Sequence, residues 1–382
     1  MSNISLAAAR LFTDAANAVE TGRAAAPARV AVTGLGSELG EKAVADACSA
    51  AVSKGCGIYY LGTVSVPGAV NIRCDGEDAC HAEMNRLLQA DVCDAAVTMH
   101  ALFPIGTATV GRVITPSRGK EMFIATTTGA PSSDRNESLV LGAIYGIIAA
   151  KACGYERPGV GLLNIDGARR AETSLRKLRD QGFPLDFVES ARKDGGALMR
   201  GNDVLLGTPD VLVCDPLTGN TLMKMLSAYS SGGDRECSGY GYGPGIGTDM
   251  KSPVLIVSRA SDTPVILNAV RYAAEICDGG ISEICAAVLG LAEKCGLHEI
   301  LRERKEATVE KGADAAPPAR VPVTESIPGI EAADVEDAER LLRKNGVYAE
   351  GAMGCTGPVI MVSSADLERA KKLLREAGYI SD

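Results

Sequence analysis

The chain has 382 residues, a length that favours two domains. Hydrophobic residues make up 46% of it and charged residues 23%, which is typical of a globular protein with a sizeable core. Its net charge is −9, aromatic residues are only 4%, and Trp is missing from the sequence. These values argue against a nucleic-acid-binding protein, because phosphate backbones attract basic surfaces and bases stack on aromatic rings.

The N-terminal segment and the cysteines predict a cytoplasmic protein. Residues 1–23 have no basic n-region, and Asp14 comes too early for a secretory core. The longest apolar stretch, residues 139–150, is shorter than the roughly 18–20 residues of a membrane span. The 12 cysteines have no CxxC spacing and there are only three histidines. We therefore expect neither disulfides nor structural zinc, and most cysteines should be small buried residues in a reducing compartment.

Strand and helix patterns alternate along the first 300 residues. An amphipathic helix is predicted over residues 5–20. The predicted strands are Arg29–Thr33, Gly57–Leu61, Asp94–Met99, Glu121–Ala125, Gly159–Ile165, Asp210–Cys214 and Pro253–Ser258. The helices predicted between them include Glu41–Lys54, Asn136–Cys153, Ala171–Gln181 and Thr263–Ile276. This alternation predicts an α/β fold, a three-layer αβα body with a mostly parallel sheet, in which ligands bind beyond the carboxyl ends of the strands.

The composition changes near residue 305, and a repeat follows. Residues 305–325 are rich in Ala, Pro and charged residues, which predicts a linker. Beyond it, residues 334–346 and 366–378 are identical at seven of 13 positions. Each copy places acids in its first turn, bases late and Gly at its end, as the helix dipole and C-cap favour.

The repeat predicts a small C-terminal α+β domain. With a short strand beside each helix it resembles a split βαβ unit. The chain would then divide into a body at 1–304, a linker at 305–325 and a small domain at 326–382. The segment between the two copies, 351–358, is Gly-rich and is predicted to form an exposed turn that carries Cys355.

Two motifs in the body have competing interpretations. Gly34–Gly40 follows a strand and precedes a helix, but its spacing is GxGxxxG, so a tight strand-to-helix turn is favoured over a dinucleotide site. Cys80 and His81 resemble metal ligands, yet neighbouring helix residues point about 100° apart and ordinary helix residues are favoured. His100 follows a predicted strand, and it either faces a ligand site at the strand ends or has only a structural role.

Candidate phosphate-binding residues follow the strand at 210–214. Residues 215–224, which begin with Asp215, are predicted to form the end of a strand, a Gly turn and the start of a helix. The backbone amides at such a helix start can bind an anion. Together with Thr218, Asn220 and Lys224 these amides form a candidate anion site.

A second set follows the strand at 253–258. Ser258 and Arg259 stand at its end, and an arginine offers a planar fork suited to phosphate. Because both sets follow strands, we expect them to converge on one edge of the sheet. The alternative is that Asn220 merely caps its helix and Arg259 merely pairs with an acid.

Residues in this region resemble two acyltransferase families. Asp215, Gly219, Asn220 and Lys224 fit the Asp-Gly-Phe-Val-Gly-Asn run and following Lys of phosphate acyltransferases of phospholipid synthesis, and 160–165 resembles their VGLLN strand. The order is also similar to that of phosphotransacetylases, in which a Gly-Asn and a Lys precede a Gly-Pro loop and a Ser-Arg segment.

The second resemblance implies roles for particular residues. Gly243-Pro244 and Ser258-Arg259 fall in the phosphotransacetylase order. In that family the Ser-Arg segment holds the phosphoryl and thioester groups, and an Asp downstream is the proposed base. Asp262 is the nearby acid here, at a shorter spacing.

A third resemblance covers essentially the whole chain. The chain is similar to the alpha subunits of component C of glycine/sarcosine/betaine reductase complexes, which add a C-terminal extension with a Gly-Cys-Thr-Gly-Pro segment to a phosphate-acyltransferase-like body. This implies that Cys355 holds an acetyl thioester, derived from a carboxymethyl group on selenoprotein A, and that phosphorolysis releases acetyl phosphate. It also implies a thiolase-like beta subunit as partner, inorganic phosphate as substrate, no cofactor, and an oligomer.

Two other functions stay open at this point. One is a stand-alone phosphate acyltransferase that uses acyl carrier protein or coenzyme A; residues 316–382 argue against it, because the phospholipid enzymes lack such an extension. The other is a non-catalytic scaffold, which the joint retention of Asn220, Lys224, Ser258 and Arg259 disfavours. The sequence does not distinguish glycine, sarcosine and betaine as the upstream substrate.

Overall fold

The structure is a computed structural model, and it describes residues 19, 27–192, 196–248, 250–302, 318, 320–330, 334–354 and 357–380. The helix predicted over 5–20, apart from Val19, lies outside the described residues. So do most of the predicted linker and Cys355.

The described strands and helices follow most of the predicted alternation. The strands are β1 (Arg29–Thr33), β2 (Gly57–Gly62), β3 (Val70–Arg73), β4 (Ala95–Thr98), β5 (Thr107–Ile114), β6 (Glu121–Ala130), β7 (Gly159–Leu163), β8 (Asp186–Phe187), β9 (Leu198–Met199), β10 (Val211–Val213), β11 (Gly243–Ile246), β12 (Val254–Ile256), β13 (Glu325–Pro328), β14 (Ala349–Gly354) and β15 (Gly357–Val362). The helices are α1 (Glu41–Ser53), α2 (Glu77–Gln89), α3 (Arg135–Ala152), α4 (Ala168–Asp180), α5 (Gly201–Leu206), α6 (Pro216–Ala228), α7 (Thr263–Asp278), α8 (Ile281–Lys294), α9 (Val335–Lys344) and α10 (Leu367–Glu376).

Twelve strands form one mostly parallel sheet in the order β3-β2-β1-β4-β12-β11-β5-β6-β10-β7-β8, with β9 paired to β7. Strands β3, β2, β1, β4 and β12 are parallel and form a first block; β6, β10, β7, β8 and β9 form a second. Strand β11 is antiparallel to β12 and to β5, and β5 is antiparallel to β6. The two parallel blocks therefore run in opposite directions, a reversal that the sequence did not predict.

Helices cover both faces of this sheet, which confirms the αβα arrangement. Along β1, Val30 and Val32 point to one face and Ala31 to the other, as strand geometry requires. The first face is covered continuously by α1, α3, α4, α7 and α8, whose buried side chains form one core with both blocks.

The second face carries two separate cores. Helix α2 packs on the first block, and α5 and α6 pack on the second. Their boundary falls at β12, because Val254 packs against the α2 core and Ile256 against the α6 core. The residues that follow β12 therefore lie where the two cores meet.

A second, three-stranded sheet has the order β13-β15-β14, with both neighbouring pairs antiparallel. Helices α9 and α10 contribute to its own hydrophobic core, which includes Ala338, Leu342, Ala370 and Leu374. Because β15 lies between β13 and β14, the unit β13-α9-β14 is a split βαβ. In the sequence, Cys355 and Thr356 join β14 to β15. The domain bounds at 304, 305–325 and 326 stay predictions.

The small unit contacts the large one through helix α4. Arg170 forms an ion pair with Asp334, whose side chain is buried, and its guanidinium lies 5.8 Å from the ring centroid of Tyr379. Since α4 belongs to the continuous helix layer, this contact is on the face of the sheet opposite to α2 and α6.

The approach of α6 to the sheet depends on Gly219. A Cβ at this position would lie 1.8 Å from the carbonyl oxygen of Thr126, so Gly219→Ala is expected to lower the free energy of unfolding by about 2–4 kcal/mol. Gly290→Ala is the matched control: Gly290 is a helical glycine of α8 with open space around its Cβ position, and the change should raise stability by about 0.5–1 kcal/mol. Urea unfolding followed by circular dichroism measures both. Wild-type stability of Gly219→Ala would contradict the close approach.

Candidate active site

Ser258 and Arg259 follow β12 and lie between helices α6 and α2. The ammonium Nζ of Lys224, on α6, donates a hydrogen bond to the Ser258 hydroxyl at 3.0 Å. The guanidinium of Arg259 pairs with Glu77, at the start of α2, with 2.7 Å between Nη2 and Oε2. One short segment thus joins the two cores of the second face, and its cationic and hydroxyl groups form the candidate site.

A buried carboxylate holds Lys224 in place. The side chain of Glu236 is only 1% exposed, and its Oε1 lies 2.7 Å from the Lys224 Nζ. It also accepts hydrogen bonds from the Tyr242 hydroxyl at 3.0 Å and the Ser261 hydroxyl at 3.2 Å. These donors compensate the burial of the carboxylate and fix the ammonium beside Ser258. The sequence analysis missed Glu236, which stands in a Gly- and Ser-rich loop.

The Ser258 hydroxyl oxygen accepts two hydrogen bonds within the protein, so its proton can be donated to a ligand. Its Oγ accepts from Lys224 and from the backbone N–H of Ala260, at 3.2 Å. Its own N–H donates to the Ser261 hydroxyl at 3.1 Å. Because a serine oxygen has two acceptor positions and one donor, the O–H of Ser258 is suited to donate to an anionic oxygen.

Arg259 is held by the Gly34–Gly40 loop as well as by α2. Its Nη1 donates to the carbonyl of Gly36 at 3.0 Å, and its own carbonyl accepts from the Glu38 N–H at 2.8 Å. Gly36 has φ +98°, and a Cβ there would press on both Glu77 and Arg259 at 3.0–3.1 Å. The loop is thus a strand-to-helix turn that positions Arg259. The hydrogen bond from Arg259 lowers the pKa of the Glu77 carboxyl.

The first turn of α6 uses its polar groups locally. Asp215 is the N-cap: its carboxylate accepts from the Thr218 N–H at 3.0 Å and from the Thr218 hydroxyl at 2.5 Å. Asn220 is not the cap, and its side-chain amide donates to the carbonyl of Thr127 at 3.3 Å. A phosphate-binding role for Asp215, Thr218 and Asn220 stays a prediction.

The two predicted loops do not meet at one edge, because β10 and β12 belong to blocks that run in opposite directions. Asp215 caps the N-terminus of α6 after β10, and Lys224 lies nine residues further on, about 13 Å along the helix axis. It is therefore the third turn of the helix, and not its start, that contacts Ser258. The sequence predicted that Asp215 and Lys224 would both lie near Ser258. This is wrong for Asp215 and right for Lys224.

Two of the three histidines lie close to the Arg259–Glu77 pair. His81 follows Glu77 by one turn of α2, and its Nε2 lies 3.0 Å from the Thr98 hydroxyl at the end of β4. The rings of His81 and His100 pack edge to face, with centroids 6.3 Å apart. Asp262 has a structural contact: it caps α7 by accepting from the Thr263 N–H at 2.7 Å.

Burial makes most of the described cysteines poor nucleophiles. Of these 11 cysteines, seven are buried and four half-buried, which confirms that most are small core residues. Burial raises the pKa of Cys48, Cys80 and Cys277 to about 12. Cys237, next to Glu236, is half-buried, and its Sγ lies 3.1 Å from the Ser230 hydroxyl. Within the described ranges no cluster of His, Cys, Asp or Glu could hold a metal ion, and no helix is long and apolar enough to cross a membrane.

A cavity of about 500 Å³ lies apart from these residues. It is lined by Cys56, Arg112, Glu121, Tyr240, Arg271, Ala274, Glu275 and Asp278. The buried Arg112 already pairs with Glu121 and with Glu275, and its guanidinium stacks 4.5 Å from the ring centroid of Tyr240. This network satisfies the arginine within the protein, so we assign it a structural role.

The chain is similar to one family model and to several known proteins. The fatty acid synthesis protein family model matches residues 28–361. The chain is 44% identical, over the full length of both proteins, to the glycine/sarcosine/betaine reductase complex component C subunit alpha of Peptoclostridium acidaminophilum. It is 31% identical over 161 residues to a phosphate acyltransferase of Brevibacillus brevis, covering 39% of this chain and 46% of that enzyme. A branched-chain phosphotransacylase from Enterococcus faecalis aligns with 65% of this chain and 99% of its own, at 17% identity and a TM-score of 0.48.

Proposed function

Because this chain belongs to the fatty acid synthesis protein family and to the component C alpha subunits of glycine/sarcosine/betaine reductase complexes, we propose that it carries an acetyl group as a thioester on Cys355 and transfers it to inorganic phosphate. The observation that carries the proposal is the full-length similarity, which includes the C-terminal extension. The phosphate acyltransferase match covers little more than a third of the chain.

The reaction is a phosphorolysis in which atoms and electrons balance. A phosphate oxygen attacks the carbonyl carbon of the thioester, and the new carbon–oxygen bond replaces the carbon–sulfur bond. The Cys355 sulfur leaves as a thiolate and takes up a proton, and acetyl phosphate is released. Nothing is oxidised or reduced in this step.

The side chains around Ser258 suit this reaction. Lys224 and Arg259 supply positive charge to the phosphate, and the Ser258 O–H can donate to an anionic oxygen. Donors that are already fixed stabilise developing negative charge without reorganisation, which is the usual source of rate in acyl transfer. Glu236 and the Gly34–Gly40 loop provide that fixation.

Cys355 must reach this site from the small unit. The unit contacts α4 through Arg170, on the face of the sheet opposite to α2 and α6. The 15 residues from 303 to 317 allow a span of at most about 50 Å. The transfer therefore requires a movement in which the Arg170 contact is released and Cys355 approaches Ser258.

The family also implies partners for this chain. A thiolase-like beta subunit and carboxymethylated selenoprotein A would be the source from which the acetyl thioester is made, and inorganic phosphate would accept the acetyl group. A cytoplasmic location and assembly into an oligomer belong to the same proposal.

A second candidate is a stand-alone phosphate acyltransferase that takes an acyl group from acyl carrier protein or coenzyme A. The 31% identity to the Brevibacillus brevis phosphate acyltransferase is the observation that favours it. Under this function the body would act alone, and Cys355 would have no part in the reaction.

Isolated protein separates the two candidates. The full chain is incubated with radiolabelled phosphate and either acetyl-coenzyme A or the beta subunit with carboxymethylated selenoprotein A, and acetyl phosphate is quantified. We expect product with the reductase components and little with acetyl-coenzyme A alone. Full turnover with acetyl-coenzyme A and none with the reductase components would replace the proposed function with the second candidate.

A further inference from the structure

The carboxylate of Glu77 occupies the nitrogens of Arg259 that a phosphate would use. Its two oxygens lie 3.2 Å from Nη1 and 2.7 Å from Nη2. This is a bidentate ion pair, and a guanidinium binds phosphate with the same bidentate geometry. Phosphate cannot take both nitrogens of Arg259 while Glu77 holds them.

The pair is accessible to an incoming anion. The side chains of Arg259 and Glu77 are 45% and 42% exposed, so phosphate can reach the guanidinium from solvent. The other contacts of Arg259, to Gly36 and Glu38, involve backbone groups and one guanidinium nitrogen, and they hold the side chain in position when Glu77 leaves.

Glu77 has favourable surroundings once it is displaced. It is the first residue of α2, and an acid at a helix N-terminus is stabilised by the helix dipole. His81 lies four residues later, on the same face of the helix, and can interact with the released carboxylate. Displacement therefore costs less than it would for a buried carboxylate.

We propose that Glu77 is a competing carboxylate that phosphate displaces from Arg259, so that Glu77 sets the affinity of the site for phosphate. This inference rests on the proposed function and adds a positioning residue to it. Glu77 acts only through Arg259.

Glu77→Gln tests the inference with a readout that a purely structural role would not move. Removing the charge weakens an exposed ion pair, and we expect the KM and the Kd for inorganic phosphate to fall about fivefold while kcat changes less than about twofold. Equilibrium dialysis with radiolabelled phosphate gives Kd, and the acetyl phosphate assay on the full complex gives KM and kcat. Glu77→Ala should change KM and Kd in the same direction and guards against an effect specific to glutamine.

Glu83→Gln is the matched control. Glu83 lies on the same helix and pairs with Arg86 at 2.6 Å, so this change also removes an exposed ion pair and should leave phosphate affinity unchanged. An unchanged or raised KM in both Glu77 variants, with normal thermal unfolding, would overturn the inference. An unchanged or raised KM in the Glu77 variants overturns only the role of Glu77 if wild-type protein forms acetyl phosphate and Arg259→Ala impairs its formation. If wild-type protein neither binds phosphate nor forms acetyl phosphate, the proposed function fails with it.

Discussion

Cys355→Ser is expected to abolish acetyl phosphate formation by the reconstituted complex. A serine hydroxyl is scarcely ionised at neutral pH and does not replace a thiolate as the acyl acceptor, so we expect a loss of about 1,000-fold or more. The assay combines the variant with the beta subunit and carboxymethylated selenoprotein A and measures acetyl phosphate as its hydroxamate. Thermal unfolding should stay close to that of wild type, because the predicted turn position buries little surface.

Cys237→Ser is the matched control for this experiment. Cys237 is a half-buried thiol next to Glu236, whose carboxylate holds Lys224. Its replacement should leave turnover within about twofold of wild type, since Ser is uncharged and close in size to Cys and the Glu236–Lys224 contact is unchanged. If Cys237→Ser loses turnover and Cys355→Ser retains it, the acyl group is carried by the body and the extension is better explained as a docking module.

Arg259→Ala is expected to have the second-largest effect. One charged contact to phosphate is worth about 2–3 kcal/mol, so acetyl phosphate formation should fall about 30- to 150-fold. Loading of acetyl on Cys355 should persist, because Arg259 acts on the phosphate and not on the thiol. The measurement pairs the turnover assay with the level of acetylated protein, which should rise as phosphorolysis slows.

Arg86→Ala controls for the loss of an exposed arginine. Arg86 pairs with Glu83 on α2 as Arg259 pairs with Glu77, and both arginine side chains are about half exposed. Arg86→Ala should retain full activity. Wild-type turnover in Arg259→Ala, with phosphate at a concentration near its KM, would remove Arg259 from the site.

The sequence predicted those parts of the fold that local pattern determines. Strand β1 was predicted at its observed bounds because a short apolar run between turn residues forms a buried strand. Strands β5 and β11 were missed, since Thr and Gly break the apolar run of β5, and Gly and Pro break that of β11. These two strands reverse the direction of the sheet, so the error changed the expected position of Asp215 relative to Ser258.

In the candidate site, too, the sequence identified residues that belong to a local pattern and missed those that depend on contacts across the fold. Lys224, Ser258 and Arg259 were found because a recognisable order of residues contains them. Glu77 and Glu236 were missed, because their roles arise from contacts across the fold: Glu77 lies 182 residues from Arg259 in the sequence and reads locally as an acid at a helix start. No local signal distinguishes such an acid from any other, and only the packing of α2 beside β12 reveals it.

The position of the acetyl group tests the central claim most directly. Wild-type complex is allowed to react without phosphate, quenched with acid, digested and examined by mass spectrometry, and a second sample receives phosphate before the quench. We predict an acetyl group of 42 Da, about the mass of C2H2O, on the peptide that contains Cys355, and its disappearance with formation of acetyl phosphate in the second sample. An acetyl group on any other cysteine, or one on Cys355 that phosphate does not remove, would contradict the account.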